Sequence, residues 1–200
     1  MNVRRMLGGA AALVLAATLA ACSGGGETLA DEYRAGDDKG YIAGSYDVVE
    51  IPAAERGAPV EFAGVTEHGD KVSNDDSAGG VLVVNFWYAG CPPCRVEAPD
   101  LAELSELYEG EGATFLGVNT RDQAPQSLTF AEEFGIGYPS VIDAGTGNML
   151  LAFAGTVGAN AVPTTLVIDK QGRVAARFLG LVEAPSTLKT LIREAIAEDD

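Results

Sequence analysis

Two cysteines at the end of an apolar, β-branched run are the residues of this chain best suited to chemistry. Cys91 and Cys94 enclose two prolines, directly after the run 81–87 and directly before a segment with apolar residues at helical spacing. This order predicts that the first thiol lies at a helix N-terminus, where unpaired backbone N–H groups and the helix dipole favour a thiolate. A thiolate can attack a disulfide, and a second cysteine one turn later can resolve the mixed product. The pair therefore predicts thiol–disulfide exchange.

The N-terminal residues predict an exported and anchored protein. Two arginines near the start precede the uncharged stretch 6–21, which has small residues before Cys22, so 1–21 is predicted to be a signal peptide. Leu19-Ala20-Ala21-Cys22 resembles the lipobox of bacterial lipoproteins, in which the cysteine carries lipid and becomes the mature N-terminus. The alternative is an ordinary secretory signal with an unrelated cysteine.

Composition divides the rest of the chain into a tether and a domain. Residues 22–44 are polar and glycine-containing with little apolar periodicity, which predicts a flexible tether. Residues 45–200 have the length of one ordinary domain. The formal net charge of −16 makes the chain a poor candidate for binding nucleic acid or an anionic membrane surface.

The cysteine count argues against a structural metal. With Cys22 assigned to lipid, only Cys91 and Cys94 remain, and a zinc site would need two further ligands. His68, the only histidine, lies in a predicted turn. We therefore predict no metal and no cofactor other than a redox-active disulfide.

The spacing of apolar residues predicts alternating strands and helices around a central mixed β-sheet flanked by helices, an α/β fold. An N-terminal β-hairpin precedes this layout. The predicted strands are 60–66, 71–73, 81–87, 114–119, 164–168 and 174–178, and the predicted helices are 92–108, 128–134, 146–153 and 185–197.

From about residue 60 to 197 the chain resembles the TlpA/ResA/DsbE-like branch of the thioredoxin superfamily. The resemblance rests on Val83-Val84-Asn85-Phe86-Trp87 and on Cys91-Pro92-Pro93-Cys94-Arg95-Val96-Glu97-Ala98-Pro99. It implies a thioredoxin-like fold in which 123–161 is the central insertion. Many members have Trp immediately before the first cysteine, whereas this chain has Gly90, with Tyr88 two places earlier.

The resemblance implies further site residues. Glu97 lies three residues after Cys94 and so on the same helix face; the family implies a catalytic carboxylate, and the alternative is a solvent-facing glutamate. Val162 and Pro163 are expected to contact substrate, with a cis bond between them.

Aromatic and polar residues near the motif complete the expected site. Trp87 and Tyr88 are assigned to substrate binding, with Trp87 as a platform beneath the motif. Asn85, in a buried strand, is expected to have a structural role. Asn119, Arg121 and Asp122 are expected to cap the loop after the next strand.

The resemblance also implies a mechanism and partners. Cys91 is expected to attack a substrate disulfide, and Cys94, the more covered thiol, to resolve it. Protein disulfides such as those of apocytochrome c would be reduced, with electrons from a membrane thiol donor of the CcdA/DsbD type, by a protein lipid-anchored at the outer face of a bacterial cytoplasmic membrane. The alternatives are a thiol oxidase or isomerase, a peroxiredoxin-like peroxidase, and a non-catalytic binding module.

Overall fold

The centre of the fold is a six-stranded mixed sheet with the strand order β1-β8-β7-β4-β5-β6. The computed structural model describes residues 47–158 and 161–198. The strands are β1 (Asp47–Glu50), β2 (Ala63–Val65), β3 (Lys71–Ser73), β4 (Val81–Trp87), β5 (Ala113–Asn119), β6 (Ser140–Ile142), β7 (Thr164–Ile168) and β8 (Val174–Leu179). The helices are α1 (Pro92–Leu107), α2 (Ala124–Phe134), α3 (Asn148–Ala152) and α4 (Pro185–Ala197).

Strand β4 is an inner strand of the sheet, and all seven of its residues are buried. It pairs in parallel with β5 and antiparallel with β7. Successive side chains alternate between the two faces: Val84 and Phe86 belong to one apolar core and Val81 and Val83 to the other. A strand buried on both faces requires a continuous apolar run, which explains its sequence.

Helices cover both faces of the sheet. Leu101 of α1 and Leu188 and Ile192 of α4 pack into the core that contains Val83. Met149 of α3 packs on the other face. The layers of helix, sheet and helix give the mixed α/β thioredoxin-like fold that the sequence predicted.

A hairpin of β2 and β3 forms a separate two-stranded sheet. Thr66, just after β2, makes a bridge to Val141 of β6. The buried Glu67 accepts a hydrogen bond from the backbone N–H of Ser140 at 2.7 Å, and its own N–H donates to the Ser140 carbonyl oxygen. The hairpin is thereby joined to the edge of the main sheet.

The structure adds two strands that the sequence did not predict, β1 and β6. Strand β1 is a mostly exposed edge strand, and β6 has only three residues, so neither has a strong apolar pattern. Helix α2 begins at Ala124 rather than at residue 128, with Pro125 in its first turn, and α3 is shorter than predicted. Strands β4 and β7 and helix α4 have the predicted bounds.

The predicted insertion 123–161 includes α2, β6 and α3. The predicted signal peptide, the tether and Cys22 lie outside the described residues. In the part of the chain that the structure describes, every helix is too short or too polar to cross a membrane.

Candidate redox site

Cys91 and Cys94 form a disulfide at the start of α1, with their Cα atoms 5.3 Å apart. Cys91 is the residue that caps the helix, and its sulfur accepts a hydrogen bond from the backbone N–H of Cys94 at 3.2 Å. Cys91 is 0% exposed and Cys94 2% exposed. The expectation that Cys94 is the more covered is therefore wrong for the oxidised protein, because residues packed around the motif cover both sulfurs.

Pro92 and Pro93 occupy the first turn of α1 and have no backbone N–H to offer. Proline is compatible with this position because the first N–H groups of a helix lack intrahelical partners. The N–H of Cys94 is consequently the first in the helix that can reach the Cys91 sulfur. A thiolate at Cys91 would thus have fewer backbone donors than in a motif with other residues between the cysteines.

Glu97 lies three residues after Cys94 on α1 and is only 1% exposed. Its Oε1 accepts a hydrogen bond from Asn85 Nδ2 at 2.8 Å, and its Oε2 accepts one from the Val182 backbone N–H at 3.0 Å. Burial raises the pKa of Glu97 to about 8; the two hydrogen bonds oppose the shift and the charge of Asp100 adds to it. The solvent-facing alternative for Glu97 is wrong.

Asn85 connects Glu97 to the centre of the sheet. Its Nδ2 also donates to Thr165 Oγ1 at 3.0 Å, so both amide hydrogens are used. Asn85 lies opposite Thr165 in the pairing of β4 with β7. The expected structural role of Asn85 takes a specific form: it holds one oxygen of Glu97 in a fixed position relative to the sheet.

Trp87 lies beneath the motif, as the platform role predicts. Its ring is packed 4.2 Å from that of Phe130 between centroids, and its Nε1 donates to Ser140 Oγ at 3.2 Å. A Cβ on Gly117 would approach Nε1 to 2.8 Å, so glycine is needed there for the indole to fit. Because Trp87 is 3% exposed, direct contact with a substrate does not fit the oxidised structure.

Tyr88 is also buried, in the cluster that contains both cysteines. The Arg121 guanidinium lies over its ring, 4.5 Å from the centroid. A substrate could therefore reach this ring only at its edge or after a rearrangement. Tyr88 fits a supporting position for the loop that leads to Cys91 better than an open contact surface.

The Val162–Pro163 bond is cis, as predicted. Val162 is buried in the same apolar cluster as Cys91 and Cys94, which brings the residue before β7 next to the disulfide. The Pro163 carbonyl oxygen accepts a hydrogen bond from Gly180 at 2.9 Å, which fixes this turn to the end of β8.

The loop after β5 fixes the backbone that leads to the cysteine motif, a role that the sequence did not predict. Asn119 Oδ1 accepts hydrogen bonds from the N–H groups of Arg121 and Asp122, the predicted loop cap. In addition, Asp122 Oδ2 accepts from the Ala89 N–H at 2.6 Å and from Asn119 Nδ2 at 3.0 Å. The carboxylate thereby fixes the backbone two residues before Cys91.

An open groove of about 310 Å³ flanks the motif between the start of α1 and α2. Phe130 and Ala89 form part of its apolar wall. Arg95 lies at its edge, 4.8 Å from the centroid of the Phe134 ring and paired with Glu133. Neither cysteine lines the groove, so it is a surface next to the motif and not part of the reacting centre.

Within residues 47–158 and 161–198, no three His, Cys, Asp or Glu side chains lie close enough together to bind a metal ion. His68 is exposed in its turn. The two sulfurs and the buried Glu97 carboxyl are the candidate reactive groups of this site. A dithiol with a carboxylate of raised pKa beside it can exchange disulfides and transfer the accompanying protons.

The Redoxin family model matches residues 49–192. The chain belongs to the Redoxin family. Among curated relatives it is 37% identical to the thiol-disulfide oxidoreductase ResA of Geobacillus thermodenitrificans over 105 residues, which is 52% of this chain and 58% of ResA. It is 29% identical to the thiol:disulfide interchange protein DsbE of Pseudomonas aeruginosa over 140 residues, 68% of this chain and 73% of DsbE.

A solved structure matches more of the fold. The secreted thiol-disulfide isomerase of Corynebacterium glutamicum superimposes with a TM-score of 0.70 at 30% identity, covering 76% of this chain and 92% of that protein. The match to ResA spans less than two thirds of ResA. Taken together, the family model, the relatives and the solved structure show that this Redoxin chain is a homologue of ResA and DsbE with a thioredoxin-like fold.

Proposed function

We propose that this Redoxin protein is an extracytoplasmic thiol–disulfide oxidoreductase that reduces protein disulfides. The observation that carries the proposal is the Cys91–Cys94 disulfide at the N-terminus of α1, with the buried Glu97 carboxyl one turn further along the same helix. The names of the ResA, DsbE and isomerase relatives agree with this chemistry. The catalytic residues are Cys91, Cys94 and Glu97.

In the reduced protein the Cys91 thiolate attacks one sulfur of a substrate disulfide. The first substrate thiolate leaves and a mixed disulfide forms. Cys94 then loses its proton, with the ionised form of Glu97 as the acceptor, and its thiolate attacks the Cys91 sulfur. The Cys91–Cys94 disulfide forms and the second substrate thiol is released. Two electrons and the Cys94 proton thus pass to the substrate, and the thiolate that left first takes its proton from solvent.

The direction of electron flow is proposed from the electrostatics. Two prolines remove backbone donors that would stabilise the Cys91 thiolate, and Glu97 in its ionised form, which predominates above about pH 8, disfavours a thiolate nearby. A destabilised thiolate makes the reduced form a better electron donor. The alternative is an isomerase, the activity in the name of the Corynebacterium glutamicum protein. A peroxiredoxin-like peroxidase is less suited, because the reacting cysteine lies in a C-x-x-C pair.

A redox titration tests the proposed function. Incubation in buffers of graded glutathione or dithiothreitol potential, followed by trapping of free thiols, is expected to give a reversible two-electron transition for the Cys91–Cys94 pair. We expect a potential nearer to that of thioredoxin, about −270 mV, than to that of the oxidant DsbA, about −120 mV. A dithiol that does not cycle would support a binding module, and a potential near that of DsbA would support an oxidase.

We further propose that Cys22 carries lipid and that residues 22–44 tether the domain outside the cytoplasmic membrane. Cys22→Ala is expected to remove labelled palmitate and to release the protein from the membrane fraction. Its stability to urea should be unchanged, since the substitution lies outside the predicted domain 45–200. Retention of the Cys22→Ala protein in membranes would instead indicate an uncleaved segment.

The proposed substrates are disulfides of extracytoplasmic proteins, such as apocytochrome c before haem attachment. A membrane thiol donor of the CcdA/DsbD type would return the Cys91–Cys94 pair to the dithiol. Val162 and Pro163 would contact the substrate beside the sulfurs, with the rings of Trp87 and Tyr88 in support.

A further inference from the structure

Basic residues are scarce in the part of the sequence that contains the cysteine motif. Between Lys71 and Lys170 there are only two, Arg95 and Arg121. The formal net charge of the whole chain is −16, so the general field of the protein disfavours the approach of an anion. The guanidinium groups of both arginines are nevertheless placed on aromatic rings beside the motif, which makes this region a local exception to that field.

Arg121 is connected to the first cysteine through the ring of Tyr88. Its guanidinium lies over that ring, 4.5 Å from the centroid. The N–H of Cys91 donates to the Tyr88 carbonyl oxygen at 3.1 Å, so residues 88–91 form a tight turn. Gly90 lies against the same ring, since a Cβ at that position would be 3.4 Å from the Cε2 atom of Tyr88. One aromatic ring thus separates Arg121 from the turn that carries Cys91.

The loop that carries Arg121 is itself fixed to this turn. The Arg121 backbone N–H donates to Asn119 Oδ1 at 3.1 Å. The next residue, Asp122, accepts a hydrogen bond from the Ala89 N–H at 2.6 Å. These bonds hold Arg121 beside the motif through its backbone and its neighbours, so its side chain is not needed to fasten the loop.

The Arg121 guanidinium is exposed, and in the described part of the chain it forms no ion pair. The neighbouring Asp122 carboxylate is directed to the Ala89 N–H instead. Arg95 differs, because Glu133 pairs with it. An arginine stacked on a ring keeps its N–H edges available, and its planar fork matches the two oxygens of a carboxylate. Arg121 is therefore the basic side chain beside the motif that is best placed to bind an anionic group.

We propose that Arg121 determines substrate specificity: its guanidinium binds a carboxylate that the substrate carries next to the disulfide attacked by Cys91. The inference rests on the proposed function and names the class of disulfide that is reduced. In the first attack the Cys91 sulfur bonds to one substrate sulfur, the substrate disulfide breaks, and the other substrate thiolate departs. Binding of the carboxylate brings the substrate to Cys91 before this step, so Arg121 should affect the rate of the first attack.

Three small symmetric disulfides test the proposal because they differ mainly in charge. Dithiodipropionate is a dianion, hydroxyethyl disulfide is neutral and cystamine is a dication, and all have the same short spacer between sulfur and the terminal group. Reduced protein is mixed with an excess of each disulfide at neutral pH, and the remaining protein dithiol is trapped by alkylation at timed intervals. Dividing the rate constant of a variant by that of the wild type removes the differences in intrinsic reactivity among the disulfides.

Arg121→Gln is expected to lower the rate constant for dithiodipropionate by about fivefold, the effect of one exposed ion pair. The rate constant for hydroxyethyl disulfide should stay within about twofold of the wild type, and that for cystamine should rise by about two- to threefold. Arg121→Lys keeps the charge and should lose less with the dianion than Arg121→Gln does. Added salt should weaken the effect of Arg121→Gln, because exposed charges are screened.

Lys189→Gln is the matched control, because it removes the same charge far from the motif. Lys189 is exposed on α4, and its carbonyl oxygen accepts a hydrogen bond from the Tyr108 hydroxyl at 2.9 Å. Tyr108 directly follows α1, whereas the cysteines lie at its start, so the 16 residues of this helix separate the two places by about 24 Å. Lys189→Gln should leave all three rate constants within about twofold of the wild type.

Two peptides that differ only in Asp or Lys beside an intramolecular disulfide distinguish the source of the carboxylate. A wild-type preference for the Asp peptide that is lost in Arg121→Gln would assign the carboxylate to a protein side chain. An effect of Arg121→Gln with dithiodipropionate alone would assign it to a small acidic disulfide.

Equal slowing with all three disulfides in Arg121→Gln would overturn the proposal, because a purely structural arginine would affect every substrate alike. Unchanged rate constants would also overturn it, as would an equal loss in Arg121→Lys and Arg121→Gln. Failure of the proposed function would look different, because the wild-type dithiol would then not reduce even the neutral disulfide.

Discussion

Reduced Cys94→Ser protein is expected to release one equivalent of thionitrobenzoate from dithionitrobenzoate and then to stop at a stable mixed disulfide. The wild type should release about two equivalents, because its second thiol resolves the mixed disulfide. Cys91 caps α1, where the helix dipole and the Cys94 N–H both favour a thiolate. Serine at position 94 retains that backbone N–H, so the first attack should proceed at a similar rate.

Cys91→Ser provides the matched control. Cys94 is inside the first turn of α1 and lacks the N-cap position and the N–H donor that favour a thiolate at Cys91, so the remaining thiol should react with dithionitrobenzoate far more slowly than Cys91 does in Cys94→Ser. Faster reaction of Cys91→Ser would exchange the assigned roles of nucleophile and resolving cysteine. If the roles are as assigned, Cys94→Ser should form a stable disulfide with its substrate in the cell envelope, and identifying the linked protein would identify the substrate.

Glu97→Gln should change both the pH dependence of stability and the titration of the thiols. The pKa of Glu97 is raised from 4.5 to about 8 in the folded protein. Between pH 4.5 and pH 8 the native state binds a proton at Glu97 that the unfolded state has released. The contribution of this proton to the free energy of unfolding is complete below about pH 4.5 and is lost as the pH rises through 8. The free energy of unfolding of the wild type should therefore fall by about 3 to 5 kcal/mol over this window, and Glu97→Gln should not show this fall.

The measurement is urea denaturation of the oxidised protein from pH 5 to pH 9, a form in which the cysteines do not titrate. Glu103→Gln is the control, because Glu103 is on the same helix but exposed. In the reduced protein, thiolate absorbance should appear at lower pH in Glu97→Gln, since the like charge is gone. Parallel stability profiles for wild type and Glu97→Gln, with unchanged thiolate titrations, would remove Glu97 from the site.

The sequence predicted the elements with strong local signals. Strand β4 is a continuous apolar run, and α4 has apolar residues three and four apart after an N-terminal proline. Strand β1 could not be predicted in this way, because an exposed edge strand of four residues depends on its pairing with β8 for recognition. Strand β6 similarly depends on β5.

The site shows the same division between local and tertiary information. Helical spacing placed Glu97 on the face of Cys94, but its burial depends on Val182, which is 85 residues away in the chain. The Asp122 bond to Ala89 joins two loops separated by 33 residues, so only the loop cap was predictable. The burial of both cysteines likewise results from contacts with Phe130 and Val162, which no local pattern contains.

The hydrogen bond from the Val182 N–H to Glu97 joins the carboxyl assigned to catalysis in our proposal to the segment before the C-terminal helix. Val182 precedes α4, and its N–H donates to the carboxyl that we propose takes up a proton during disulfide exchange. Such a bond is stronger when the acceptor is ionised. Thermodynamic linkage is reciprocal, so any event that loosens the segment before α4 must also change the proton affinity of Glu97. A partner that binds α4 and loosens this segment would thus change the reduction potential of Cys91 and Cys94 without contacting either residue.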